Sequence, residues 1–166
     1  MNTLIDKLHP KVIELIKNCG AKVYSYENYP YPETVGFYLA FYSTKYDDIG
    51  IKDADWLDLN LNALHELIHW SGIKGRSERS LVSTCHQVFS SDGNIEITEI
   101  SRHTEESTAE FGSYRLMDLL GIPLKDENRY TKAIQRLDLA DKRQALEDGK
   151  RAVEYLLQFV ELEKAA

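Results

Sequence analysis

The chain is poor in cysteine, with only Cys19 and Cys85 among 166 residues. Two cysteines so far apart offer no disulfide framework, and a reducing compartment is the expected setting. Long apolar runs are missing as well. Nothing approaches the ~18 consecutive apolar residues of a membrane span. The opening M-N-T-L-I-D-K-L-H-P lacks the apolar core of a secretory signal. Positive charge is also scarce: 20 Lys and Arg against 27 Asp and Glu leave a net charge of −7, with a pI near 5.2. That balance argues against a broad phosphate-binding surface and leaves a basic protein partner open. Repeats and low-complexity segments are absent. The length suits one compact domain spanning residues 1–166, and 43% hydrophobic content is ordinary for such a core.

What is present is one dense motif, His65 to Gly72, H-E-L-I-H-W-S-G. Residues four apart on a helix share a face. His65 and His69 can therefore each give a ring nitrogen to one tetrahedral ion, and Zn²⁺ favours such donors. Glu66 is turned roughly 100° from His65, a poor angle for a ligand but a good one for taking a proton from attacking water. Leu57, Leu61, Leu64 and Ile68 form an apolar stripe at helical spacing. The histidines lie beside it, at the rim of the expected core.

Around this helix the pattern predicts an α+β chain. Residues 3–18 read as helical, with Pro10 in the first turn of a second piece and Gly20 as its stop. Residues 21–26 and 34–43 read as strands, Tyr29 to Pro32 as a loop, and Ile49-Gly50-Ile51 as an edge strand. Asp53 or Asp55 is expected to cap the motif helix. A basic connection follows over 73–85, then a hairpin over 86–100 turning at Ser91-Asp92-Gly93-Asn94. A helix runs from Ser101 or Thr104 to Leu120, ended by Gly121 and Pro123. Two more are expected at 127–138 and 141–163.

Two histidines on zinc commonly take a carboxylate as third ligand. The stretch Glu105 to Tyr114, E-E-S-T-A-E-F-G-S-Y, offers one. Glu106, Glu110, Ser113 and Met117 share a helical face, whereas Glu105 is expected to point away. Two glutamates one turn apart on a buried face repel unless something positive sits there. Glu106 is therefore assigned to zinc, and Glu110 is expected behind the ligands, accepting the free ring N–H of His65 or His69. Glu105, His103, Cys85 and His86 are rival ligands, and a plain solvated acidic face is the structural alternative. Gly112 and Ser113 are small enough to let the two helices approach closely.

With these residues in view, the chain resembles the zincin-like metallopeptidase domain of ArdC-type antirestriction proteins of plasmids and phages. Phe41-Tyr42-Ser43 with Asp47 to Ile49 resembles that family's Y-Y-S-P and D-R-I. H-E-L-I-H-W-S-G is similar to H-E-L-x-H-W-T-G. Arg76 and Arg79 match its paired arginines, E-E-S-T-A-E-F-G matches E-E-L-V-A-E-L-G, and Leu120-Gly121-Ile122 matches L-G-I. The likeness covers roughly residues 38–160. Residues 83–100 depart from it, and the family's single-stranded-DNA-binding N-terminal domain has no counterpart in the sequence.

The resemblance implies a gluzincin fold, a small twisted sheet packed on the active-site helix plus a C-terminal helical part. It implies His65, His69 and Glu106 as zinc ligands and Glu66 as the catalytic group. The expected reaction is peptide hydrolysis, zinc activating water and polarising the scissile carbonyl while Glu66 moves the proton to the leaving amine. His103, Tyr114 and Arg76 are candidate oxyanion donors. An edge strand before the motif helix could hold an extended substrate. The expected partners are a peptide or protein substrate, with a host defence protein as one candidate. No nucleic-acid signal stands out beyond Lys74, Arg76 and Arg79. The expected location is the cytoplasm, the host's if the chain is phage-encoded. One alternative is an acidic binding protein that inhibits a host nuclease or restriction system, with zinc structural. Another is a zinc hydrolase acting on a different amide or on nucleic acid.

Overall fold

In the computed structural model, residues 4–32, 38–73, 75–77, 102–124, 135 and 138–162 are described. Among them the chain is α+β, with three strands and four α-helices. A single 3₁₀ turn at Ile5–Lys7 precedes α1 (Pro10–Cys19). Pro10 takes the first helical position, where its missing N–H costs nothing. His9 caps the helix through Lys11 N–H, and Gly20 closes it at φ 79°, a left-handed conformation suited to glycine. The expected helix over 3–18 is thus two pieces joined at Leu8–His9.

Strands β1 (Lys22–Ser25), β2 (Ala40–Ser43) and β3 (Asp48–Ile51) form one sheet in the order β1-β3-β2. β1 runs parallel to β3 and β2 antiparallel to it. The expectation of an edge strand at 49–51 is corrected: among the described strands β3 is central and β2 flanks it. The reason is burial. Asp48, Ile49, Gly50 and Ile51 are all buried, and a fully buried strand needs partners on both sides. Of the strand expected over 34–43, only Ala40–Ser43 is strand among the described residues, and 33–37 lie outside them.

The alternation of bonded pairs fixes what β2 presents. Lys52 N–H donates to the Leu39 carbonyl at 2.8 Å. Leu39/Lys52, Phe41/Gly50 and Ser43/Asp48 are therefore the bonded pairs, and Ala40 and Tyr42 turn their backbone groups outward. On the far face Phe41 packs edge-on against Tyr29, with ring centroids 5.0 Å apart, and Tyr29 donates to the buried Asp48 carboxylate at 2.7 Å. The loop tyrosine at 29 is thus part of the interior.

The motif helix is α2 (Trp56–Ser71). Asp55, one of the two expected caps, accepts Asp58 N–H at 3.1 Å. The expected single apolar stripe is too narrow a description. Leu59, Leu61, Ala63, Leu64, Leu67, Ile68 and Trp70 are all buried, while Leu57 is only partly so. A helix apolar nearly all round is central to the core. It packs against the sheet on one side and, on another, against α3 (Arg102–Leu119) and α4 (Leu139–Leu157). Its two ends differ: Trp56 is exposed and Trp70 buried.

Helix α3 ends as expected. Gly121 at φ 72° donates to Asp118 and Ile122 N–H reaches Met117 at 2.9 Å, the paired bonds of a Schellman stop. Asp138 caps α4 through Asp141 N–H. That helix starts at 139 and stops at 157, earlier than the expected 163. The following residues fold back on α1: Asn18 donates to the Phe159 carbonyl, and Glu161 N–H to Glu14. The hairpin expected at 86–100 and the helix at 127–138 lie outside the described residues, Gln135 and Asp138 excepted. No helix among the described residues is long and apolar enough to cross a membrane.

Candidate metal centre

The packing of α3 on α2 brings three donor atoms together. His65 Nε2 and His69 Nε2 stand 3.2 Å apart, and Glu106 Oε2 lies 3.4 Å from the first and 3.9 Å from the second. Ligands about 2.0–2.1 Å from a tetrahedral zinc are separated by about 3.3–3.4 Å. The observed triangle needs only tenths of an ångström of adjustment to close on such an ion. All three atoms fall within 4.8 Å of one another, so the group can hold a metal.

The tautomers support the same conclusion. His69 Nδ1 faces Glu105 Oε1 at 2.9 Å, and His65 Nδ1 faces Glu110 Oε2 at 3.4 Å. An ionised carboxylate only accepts, so Glu105 selects the Nδ1–H form of a neutral His69 and aims its Nε2 lone pair inward, whereas His65 has a carboxylate 3.4 Å from each ring nitrogen, Glu110 at Nδ1 and Glu106 at Nε2. The His69 lone pair, His65 Nε2 and a Glu106 oxygen then converge on one point. That arrangement is repulsive unless a cation occupies it. With a proton as that cation, burial of His65 opposes the charge, but Glu106 and Glu110, helped by Glu66, push its pKa up to about 10. A divalent ion answers all three donors at once.

Exposure divides the glutamates differently from the helical wheel. Glu106 is the open one, its side chain 50% exposed, whereas Glu105 and Glu110 are buried. The expectation that Glu105 points away is corrected: it is a partner of His69. Of the rival ligands, Cys85, His86 and the side chain of His103 lie outside the described residues.

Glu66 lies on a neighbouring side of α2 and is buried. Burial pushes its carboxyl above the ordinary range. The charges of His65 and His69 pull it back, Glu106 pushes it up, and the Tyr42 N–H of β2 favours the ionised form. Tyr26, expected only as the last residue of the strand at 21–26 but found just past its end, shares this neighbourhood. Burial and the Glu66 charge push its phenol up to about 12, so it stays protonated, donating to the Tyr38 carbonyl at 2.8 Å.

Of the expected oxyanion donors, Arg76 is committed elsewhere. It donates to the Trp70 carbonyl at 2.6 Å and to Asp47, and stacks 3.7 Å above the Trp70 ring. Tyr114 is buried in the core. Compared with known proteins, the chain matches no family model, no curated protein and no solved structure.

Proposed function

We propose that the chain is a zinc-dependent peptidase of the zincin-like, gluzincin type. His65, His69 and Glu106 hold the ion and Glu66 serves as general base. The observation that carries this reading is the convergence of the three donors beside a buried glutamate that meets the backbone of β2. The H-E-x-x-H spacing and the resemblance to the ArdC-type domain support it.

A zinc ion in this place supplies Lewis acidity toward a carbonyl oxygen and acidifies water. The protein's own groups do the rest. Glu66, with its pKa raised by burial, accepts a proton from water and returns it to the leaving amine. Among the described residues, Ala40 and the Tyr42 carbonyl turn backbone groups away from β3, where an extended peptide could pair, which supports a peptide rather than a small amide as substrate. The half-exposed Glu106 leaves the centre reachable from solvent.

The test pairs elemental analysis with digestion of a mixed peptide library read by mass spectrometry. The expected result is about one zinc per chain and cleavage that a chelator abolishes and zinc restores. Glu66→Gln should keep the zinc and lose about 10²–10⁴-fold in rate. Cleavage unchanged in that variant, or a chain that takes up no zinc when supplied, overturns the proposal.

A further inference from the structure

The two rings of the centre are not held alike. His69 Nδ1 meets Glu105 at 2.9 Å, within normal hydrogen-bond length, and both side chains are largely shielded from water. His65 Nδ1 meets Glu110 at 3.4 Å, a loose contact. Glu105, Glu106 and Glu110 belong to one helix, α3. That helix would thus provide one ligand and the carboxylates behind both of the others.

We infer that Glu105 is a positioning residue that fixes the His69 ring with Nε2 toward the ion, and that His69 is the preorganised ligand of the pair. This rests on the zinc-site reading above. A carboxylate on Nδ1 selects the tautomer and raises the basicity of the opposite nitrogen. Without it, His69 is free to place its hydrogen on Nε2, where it blocks the ion. The longer His65–Glu110 contact imposes a weaker preference on that ring.

The experiment measures zinc affinity by competition with a chromogenic chelator in the unmodified chain and in Glu105→Gln, Glu105→Ala and Glu110→Ala. Circular dichroism checks that each variant is folded. Loss of Glu105 should cost about 10–100-fold in affinity. Gln, which still offers an oxygen, should fall between Glu and Ala, and Glu110→Ala should cost less than Glu105→Ala. Long-range ¹⁵N–¹H correlation of the unmodified, metal-free protein gives a readout independent of variant folding. His69 should carry its hydrogen on Nδ1. An Nε2–H ring at His69, or a folded Glu105→Ala variant within twofold of the unmodified affinity, overturns the inference while leaving the zinc site intact. Absence of zinc binding in the unmodified chain overturns the zinc-site reading and this inference with it.

Discussion

Asp47 shows how a single side chain can tie the sheet to the far end of the motif helix. It sits at φ 53° in the turn between β2 and β3, a left-handed conformation that aspartate tolerates better than most residues. Its carboxylate takes the Arg76 guanidinium on one oxygen and the Tyr42 hydroxyl, at 2.9 Å, on the other. Burial alone would raise its pKa, but the bonds from Arg76 and Tyr42 outweigh it and hold the carboxyl below the ordinary range. Such a group stabilises the fold above its unfolded value of ~3.9 and loses that contribution as pH falls through the lower native value. The side chain is 45% exposed, so screening keeps the effect to about 1 kcal/mol or less, or about 2–4 °C in melting temperature. The melting curve of Asp47→Asn should therefore lie below that of the unmodified chain at neutral pH, with the gap closing as the pH falls below the ordinary aspartate value of ~3.9. A gap that widens on acidification would refute this account. The same scale shows what the sequence made legible. Spacing by four places His65 and His69 on one face, and the third carboxylate such a pair calls for is present in Glu106. The role of Glu105 is not legible, because a wheel drawn about one axis ignores the neighbour's second histidine, one turn further along α2.

At the scale of elements, the site depends on how closely two helices pass. Gly112 of α3 sits against Ile68 of α2, and a Cβ there would fall 2.6 Å from the Ile68 Cδ1. Ile68 is fully buried and has little room to yield. Gly112→Ala gains about 1 kcal/mol in helix propensity, but overpacking a filled interface costs about 1–3 kcal/mol. The net expectation is mild destabilisation with α3 displaced outward. Glu106 moves with it, so zinc affinity should fall even though residue 112 touches no ligand. Denaturant unfolding and chelator competition on the same variant check both halves; unchanged affinity would show that the spacing at Gly112 does not govern the site. The small residues at 112 and 113 announce this approach in the sequence. The role of β2 is hidden there, because strand order depends on which chain segment pairs across space, and period-two patterning carries no such information.

On the scale of the whole molecule, the α+β class is readable from alternating helical and strand patterns, but the centrality of α2 is not. Its apolar residues spread round the helix because sheet, α3 and α4 all pack on it, and a search for one stripe finds only part of them. The end of α4 escapes the pattern for a related reason: Val160 is buried and mimics helical periodicity, yet the chain there has turned back to meet α1. The buried helix has an optical consequence. The chain has two tryptophans, and they stand at opposite ends of α2, about 21 Å apart along its axis. Trp56 is in contact with water and should emit to the red; Trp70 lies in the interior beside Arg76 and should emit to the blue. His69 adjoins Trp70 in the chain, so a coloured ion such as Co²⁺ bound between the histidines lies much nearer the blue emitter. Titration with Co²⁺ should quench the blue component first and shift the remaining fluorescence to longer wavelength. Uniform quenching of both components would show the ion bound elsewhere. The helix thus carries its own gauge of metal occupancy, readable without a label or a substrate.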